Sequence, residues 1–299
     1  DDATALVNRQ DRPFETLEAA RDAATSGDTI HVRPGSYTTS TPLVKNGVNW
    51  HGEIGATITG ISSGGSNGIF NCLDASVSFV VSGAFEIVQV VSGSATEVHA
   101  TGATNNDAAN VHISCRSISL VAETDTMDGA YTVAGIRGAL TIEVEQRISL
   151  TGLLGTSAVY WERGPMYVRC PHIYSEFTAV TSYAGAGDTE FFVDAQMIET
   201  TGNGNAISSA MAGANLRTWI AAQSVINRGD NSAVVVSTSG KFYLLCEKIG
   251  CGAATAIDVF SGIGNDIQAW ITTQKISSAS QFVRIASGVA WVQAQEYED

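Results

Sequence analysis

Six large aromatic residues recur through the second half of the chain: Tyr167, Phe192, Trp219, Tyr243, Trp270 and Trp291. Their intervals are 25, 27, 24, 27 and 21 residues. Each opens a similar phrase, such as Tyr167-Val168-Arg169-Cys170 or Trp270-Ile271-Thr272-Thr273. Each phrase closes six residues later, on Ile173, Ile198, Val225, Ile249, Ile276 and Tyr297. A recurrence of about 26 residues restricts the chain to a solenoid, in which one coil stacks on the next.

Within the phrase the chemistry alternates, which is the period of a strand and not of a helix. The column Val168, Val193, Ile220, Leu244, Ile271 and Val292 is apolar. Two residues on, Cys170, Ala195, Ala222, Cys246, Thr273 and Ala294 are small. Both columns are expected in the core. The opposite face carries Gln196, Gln223, Glu247, Gln274 and Gln295, so it and the aromatic column are expected outside. Strict alternation would also turn the closing apolar residue outward, so the strand must bend or bulge after the Gln.

A second strand follows half a repeat later, at Ala158-Val159, Ala179-Val180, Ala206-Ile207, Ala233-Val234, Ala256-Ile257 and Phe282-Val283. Gly164, Gly185, Gly213, Gly240, Gly262 and Gly288 come six or seven residues after it and are expected at equivalent corners. Residues 172–299 lack proline, as parallel strands that need every N–H require. With Ile87, Ile118 and Ile148 as earlier closing residues, the chain makes roughly ten coils, stacked over about 50 Å. The segments between strands show no apolar helical period.

The N-terminal segment differs. Residues 13–24 place Phe14, Leu17, Ala20 and Ala24 on one helical face, with Pro13 suited to the first helical position and Gly27 to a C-terminal cap. Residues 28–32 read as a strand and Pro34-Gly35-Ser36-Tyr37 as a turn. An amphipathic helix here would cap the open end of a solenoid.

The phrases Arg12-Pro13-Phe14-Glu15-Thr16-Leu17, residues 23–30 and Val32-Arg33-Pro34-Gly35-Ser36-Tyr37 resemble the opening segment of right-handed parallel β-helices of the pectin-lyase-like superfamily. Leu43-Val44-Lys45-Asn46-Gly47-Val48-Asn49-Trp50 is similar to segments of β-helix proteins of bacterial viruses and cell surfaces. The expected architecture is all-β: one right-handed parallel β-helix over residues 29–299, with a cap segment over residues 1–28 that holds a short helix. The resemblance implies fold more than activity.

A formal charge of −14 argues against nucleic acid and anionic membranes as partners. No apolar run is long enough to span a bilayer. The five cysteines, Cys72, Cys115, Cys170, Cys246 and Cys251, read as buried thiols, with a Cys246–Cys251 bridge the less favoured alternative. No histidine pair has zinc spacing. The acidic stretch Glu123-Thr124-Asp125-Thr126-Met127-Asp128-Gly129 departs from EF-hand spacing and reads as a solvated loop. No metal or cofactor is expected.

Glycoside hydrolysis needs convergent carboxylates, and lyase chemistry needs a base beside acid-bound cations. Neither outward column supplies a carboxylate cluster, and the ordered Asn-Thr-Asp, Asp-Asp and Gly-His-Gly phrases of polygalacturonases are absent. Arg169 with Asp194 one coil later is the best lyase-like pair, with Glu143 or Glu145 one coil earlier, and reads first as an ion pair. Residues 160–163, beside Tyr167, read as a packed corner before a sugar platform. No catalytic residue is assigned.

The expected function is structural and adhesive: a virion spike, tail or extracellular surface component that contacts glycans. Candidate contact or interface residues are the six aromatics with Gln196, Gln223, Gln274 and Gln295. The resemblance implies a homotrimer. A carbohydrate-active lyase or hydrolase on the same fold is the alternative.

Overall fold

The computed structural model describes residues 13–62, 68–72, 77–92, 98–103, 109–123, 130–135, 137–152, 156–183, 190–210, 212–237, 239–252, 254–259, 267–286 and 289–298. Parallel strands stack in register along one direction, forming a β-helix, with one short helix among the described residues, near its start. The in-register partners of Tyr167 are Phe192, Trp219, Tyr243, Trp270 and Trp291 in turn, so the aromatic interval is the coil length.

Each later coil consists of one long bent strand and one short strand. The long strands are Asn110–Ala122, Ala139–Gly152, Met166–Ser175, Glu190–Thr200, Ala212–Asn227, Ser239–Cys251, Ile267–Ser278 and Val289–Glu298. In the first coils the two halves of this strand are separate. Ser78–Gly83 pairs with the first half of Asn110–Ala122, and Glu86–Val91 with its second half. The long strand therefore builds two walls joined at a corner. Short strands from Phe70–Cys72 to Gln281–Ile285 build the third wall.

The bend expected after the Gln is present at each corner. Pairing runs from Cys170–Ala195 to His172–Met197 and skips Pro171 and Gln196. The same skip occurs at Gln223, Glu247, Gln274 and Gln295. Two successive residues, Gln196 and Met197, both turn away from the core, which returns Ile198 to full burial. Pro171 fits this position because the ladder asks no N–H of it.

The inward columns form one core. Val168, Val193, Ile220, Leu244 and Ile271 line the first wall; Ile173, Ile198, Val225, Ile249 and Ile276 line the second. Val159, Val180, Ile207, Val234 and Ile257 line the third. Tyr297 pairs in register with Ile276 but is 54 % exposed, so the closing column loses its burial in the last described coil.

Three local readings are corrected. Helix α1 spans Leu17–Ala23, with Thr16 as its N-cap, because the Thr16 hydroxyl accepts from the Ala19 N–H and Pro13 lies outside the helix. Ala24 caps the C-terminus, and Gly27, at φ 97°, serves the following turn, where its N–H reaches the Gly47 carbonyl. Residues Gly35–Thr39 form a strand paired with Ala56–Ser62, not a turn, since Pro34 stands before the ladder and removes none of its donors. Among the corner glycines, Gly164 lies in a bend at φ 85°, whereas Gly213 and Gly240 lie inside long strands near their starts. By register the three nonetheless stand at equivalent positions on the way into the first wall: Gly164 and Gly240 each lie two residues before Met166 and Phe242, which share one column, and Gly213 follows Ala212, the partner of Ser239; Gly185, Gly262 and Gly288 fall outside the described residues.

A column not anticipated from the sequence closes the second wall: Ser175, Thr200, Asn227, Cys251 and Ser278, in register and buried. These short polar side chains satisfy the turn into the third wall. Asn227 donates to the carbonyls of Gly204, Asn231 and Ser232 and accepts from the Gly229 N–H. Ser278 donates to the Ala254 carbonyl at 2.7 Å and accepts from the Ser280 N–H. Asn227→Ala strands several buried backbone groups at once and is expected to cost about 2–4 kcal/mol. Urea denaturation checks this; a change below about 0.5 kcal/mol would show that the column is not structural.

Candidate functional site

The skipped corner residues and the outward residues beside them line a groove of about 710 Å³ on the outer surface. It crosses seven successive long strands, from Val144 and Glu145 to Gln293 and Gln295. The small column explains it. Cys170, Ala195, Cys246 and Thr273 are buried and yet border the groove, so the wall there is thin. A larger side chain at this column would need space that the inward fold of the corner has removed.

Gln196, Gln223, Gln274 and Gln295 stand along the corner, exposed and one per coil. Their amides make no hydrogen bond within the described residues. Each offers one acceptor and two donor hydrogens to a ligand. Between them and the aromatic column run Ala221, Leu245 and Thr272, with Leu245 61 % exposed in the middle of the groove.

Arg169 and Asp194 pair across adjacent strands with 3.4 Å between Nε and Oδ2. Both are at least half exposed, so the pair contributes on the order of 0.2–1 kcal/mol. Register decides between the two upstream glutamates. Glu143 is the strand partner of Arg169 and lies 3.8 Å from His112, whereas Glu145 borders the groove. Glu145 gets there through a bulge: Glu145 and Gln146 together stand opposite the single residue Arg116.

The aromatic column lies on the outer face, outside the groove lining. Ring centroids are 3.8 Å apart from Trp219 to Tyr243, 4.7 Å from Tyr243 to Trp270 and 4.9 Å from Trp270 to Trp291, with planes within 9° of parallel. Phe192 and Trp219 are also parallel, at 6.2 Å. Neighbouring rings occupy each other's faces, so solvent meets ring edges. Stacking of this kind is worth roughly 0.5–1.5 kcal/mol per pair beyond area burial. Trp161, in the other aromatic phrase, is fully buried, stacks on Phe191 at 5.3 Å and donates to the Gly164 carbonyl, which is the packed corner.

A second polar cluster, missed in the sequence, sits on the second wall. Arg147 and His172 are strand partners, as are Tyr174 and Glu199. His172 Nε2 lies 3.2 Å from Glu199, whose other oxygen takes the Arg228 guanidinium at 2.5 Å; the Arg147 guanidinium lies 4.3 Å from the Tyr174 ring centre. The cross-coil partners are 25 or more positions apart in sequence, and only the exact coil register reveals them. On the third wall Asp258, 5 % exposed, is paired along the ladder with Arg284.

The five thiols are free and buried. Burial pushes Cys72 and Cys170 up to about 12 and Cys246 to about 11, so they are poor nucleophiles. Among the described residues no group of three or more His, Cys, Asp or Glu gathers as a cation site. Of the acidic stretch at 123–129 only Glu123 is described. No described helix is long and apolar enough to cross a membrane.

Comparison with known protein families, curated proteins and solved structures finds no match. The site therefore rests on its own geometry.

The second cluster sets a pH dependence. Burial and the Arg147 charge hold His172 below its ordinary value of 6.5, against the pull of Glu199. Burial disfavours ionised Glu199, but the Arg228 hydrogen bond and charge, with His172, outweigh it and hold it below 4.5. Below pH 6.5 the unfolded chain takes up a proton at residue 172 that the folded chain resists, so stability falls with acidification. The Glu199 contribution is lost later, below 4.5. His172→Gln keeps a donor toward Glu199 and is expected to flatten the decline in thermal midpoint between about pH 6.5 and 5. An unchanged slope would clear His172 of this role.

Proposed function

We propose that this β-helix is a non-catalytic structural and adhesive protein, a component of a virion spike or tail or of a cell surface, that contacts glycans through the corner groove. The observation that carries the reading is the row of uncommitted glutamine amides along a groove crossing seven strands. Hydroxyl-rich ligands are matched by groups that both donate and accept. The charged residues beside the row support binding over turnover: Arg169 is committed to Asp194, and Glu145, Asp194 and Glu247 stand on different coils. The placement on a virion or surface rests on the resemblance of the opening segment.

The bulge that turns Glu145 into the groove near Arg169 and Asp194 favours the second reading, a lyase or hydrolase. A glycan array followed by a reducing-end assay on each bound glycan separates the two. Binding without new reducing ends supports adhesion; release of ends that Glu145→Gln abolishes would establish the enzyme.

The resemblance also supports a homotrimer. The exposed strip of ring edges with Leu245 covers about six strand spacings by four residues, on the order of 400 Å². A standard interface buries about 800 Å² per partner, so the strip alone would not hold a trimer. Light scattering of the purified chain at micromolar concentration is expected to give three times the monomer mass if further surface joins; a monomer mass refutes the trimer.

A further inference from the structure

The groove has the dimensions and charge to select among glycans. We propose that it takes an uncharged, extended polysaccharide lying along the solenoid axis, one sugar residue per coil. This rests on the glycan-contact reading above.

Three observations converge. Seven lining strands at about 4.8 Å spacing make the groove about 29 Å long, enough for an extended chain laid along the solenoid axis. Spacing separates the candidate chains. At about 4.8 Å per coil, free corner amides stand on four of the seven strands, at Gln196, Gln223, Gln274 and Gln295, with Glu247 between the two pairs and Pro171 before them. An extended peptide advances about 3.3 Å per residue, so it is out of phase at the next coil and realigns only at every second one, about 9.9 Å against about 9.6 Å. The groove also crosses the strands, so it offers a peptide no sheet edge to pair with. A pyranose in a flat, extended 1,4-linked chain advances by close to one strand spacing, so one sugar stands over each coil; successive sugars are turned over, and an amide that both donates and accepts can meet either edge. Leu245, exposed beside Ala221, gives a sugar's C–H face an apolar rest, whereas the inner rings Trp219, Tyr243 and Trp270 have both faces stacked.

Charge then selects among glycans. The lining holds Glu145, Asp194 and Glu247 against Arg169 alone, and the chain as a whole carries −14. A uronic or sulfated chain would bring like charge against three carboxylates, so the groove disfavours it.

Titration calorimetry of the full chain tests this with cello-oligosaccharides, oligogalacturonides of equal length, and malto-oligosaccharides, whose linkage curls the chain. Affinity for cello-oligosaccharides is expected to rise with length and level off near about seven sugars, one per lining strand. The malto series and the acidic series are expected to bind at least about tenfold more weakly. Gln223→Ala with Gln274→Ala is expected to lose about tenfold, with an unchanged thermal midpoint. Leu245→Asp, at an exposed position, checks the apolar rest independently and is expected to weaken binding with the fold intact. Acidic chains binding as tightly, affinity independent of length, or variants binding as wild type would each overturn the proposal. If oligogalacturonides win and the Gln variant still weakens them, this selectivity falls while glycan contact stands; if no oligosaccharide binds, both fall.

Discussion

The in-register parallel ladder fixes everything else in this molecule. Once Tyr167 sits opposite Phe192, every residue of one coil stands about 4.8 Å from its counterpart in the next. A side-chain choice made once per coil becomes a column. Apolar columns at Val168 and Ile173 become two walls of a continuous core, and the Ala-Val phrases become the third. The aromatic choice becomes a stack whose ring separations, down to 3.8 Å, follow the strand spacing. The same rule makes errors costly: a shift of one residue would exchange the inward and outward columns along a whole strand.

The ladder breaks at one place per coil, and the outer surface is organised around that break. At Pro171, Gln196, Gln223, Glu247, Gln274 and Gln295 pairing skips a residue, and two neighbours in succession face outward. The wall folds inward there because the preceding inward residue is Cys, Ala or Thr. Small residues inside and amides outside are thus two sides of one requirement. A side chain larger than the branched Val144 and Thr273 that this column already holds would, at Ala195 or Ala222, push the corner out and flatten the groove. In the coil Ala139–Gly152 the break widens into a bulge, which is why Glu145 joins the lining while Glu143 stays in the column of Arg169.

What was legible in the sequence was what repeats. The coil length, the facing of Val168 and its column, the outward glutamines and the need for a bend after them all follow from periodicity, because a column repeated five or six times outweighs any single exception. What was not legible was what occurs once or depends on distance. Thr16 rather than Pro13 starts the helix because a hydroxyl within reach of the Ala19 N–H decides the cap. Gly35–Thr39 is a strand because its partner Ala56–Ser62 is there to pair, whatever Pro34-Gly35 favours locally. Ser175, Thr200, Asn227, Cys251 and Ser278 look unrelated as letters, yet each is a short polar group closing the same kind of turn. Arg147, His172 and Glu199 meet only because 25-residue and 27-residue coils bring them side by side.

The aromatic column and the glutamine column are both exposed, one per coil and a few residues apart, yet their chemistry differs in what remains unused. Stacking consumes the faces of the rings, and ring faces are the part of an aromatic that binds a sugar. The edges left to solvent add apolar area but little direction. The glutamine amides have no internal partner, so their hydrogen-bonding capacity is available in full. On the proposed reading, recognition falls to the residues that contribute least to the fold, and stability to the aromatic column beside them. A solenoid permits that division because neighbouring columns, although they share every strand, can be optimised separately for the core, the ladder and the ligand.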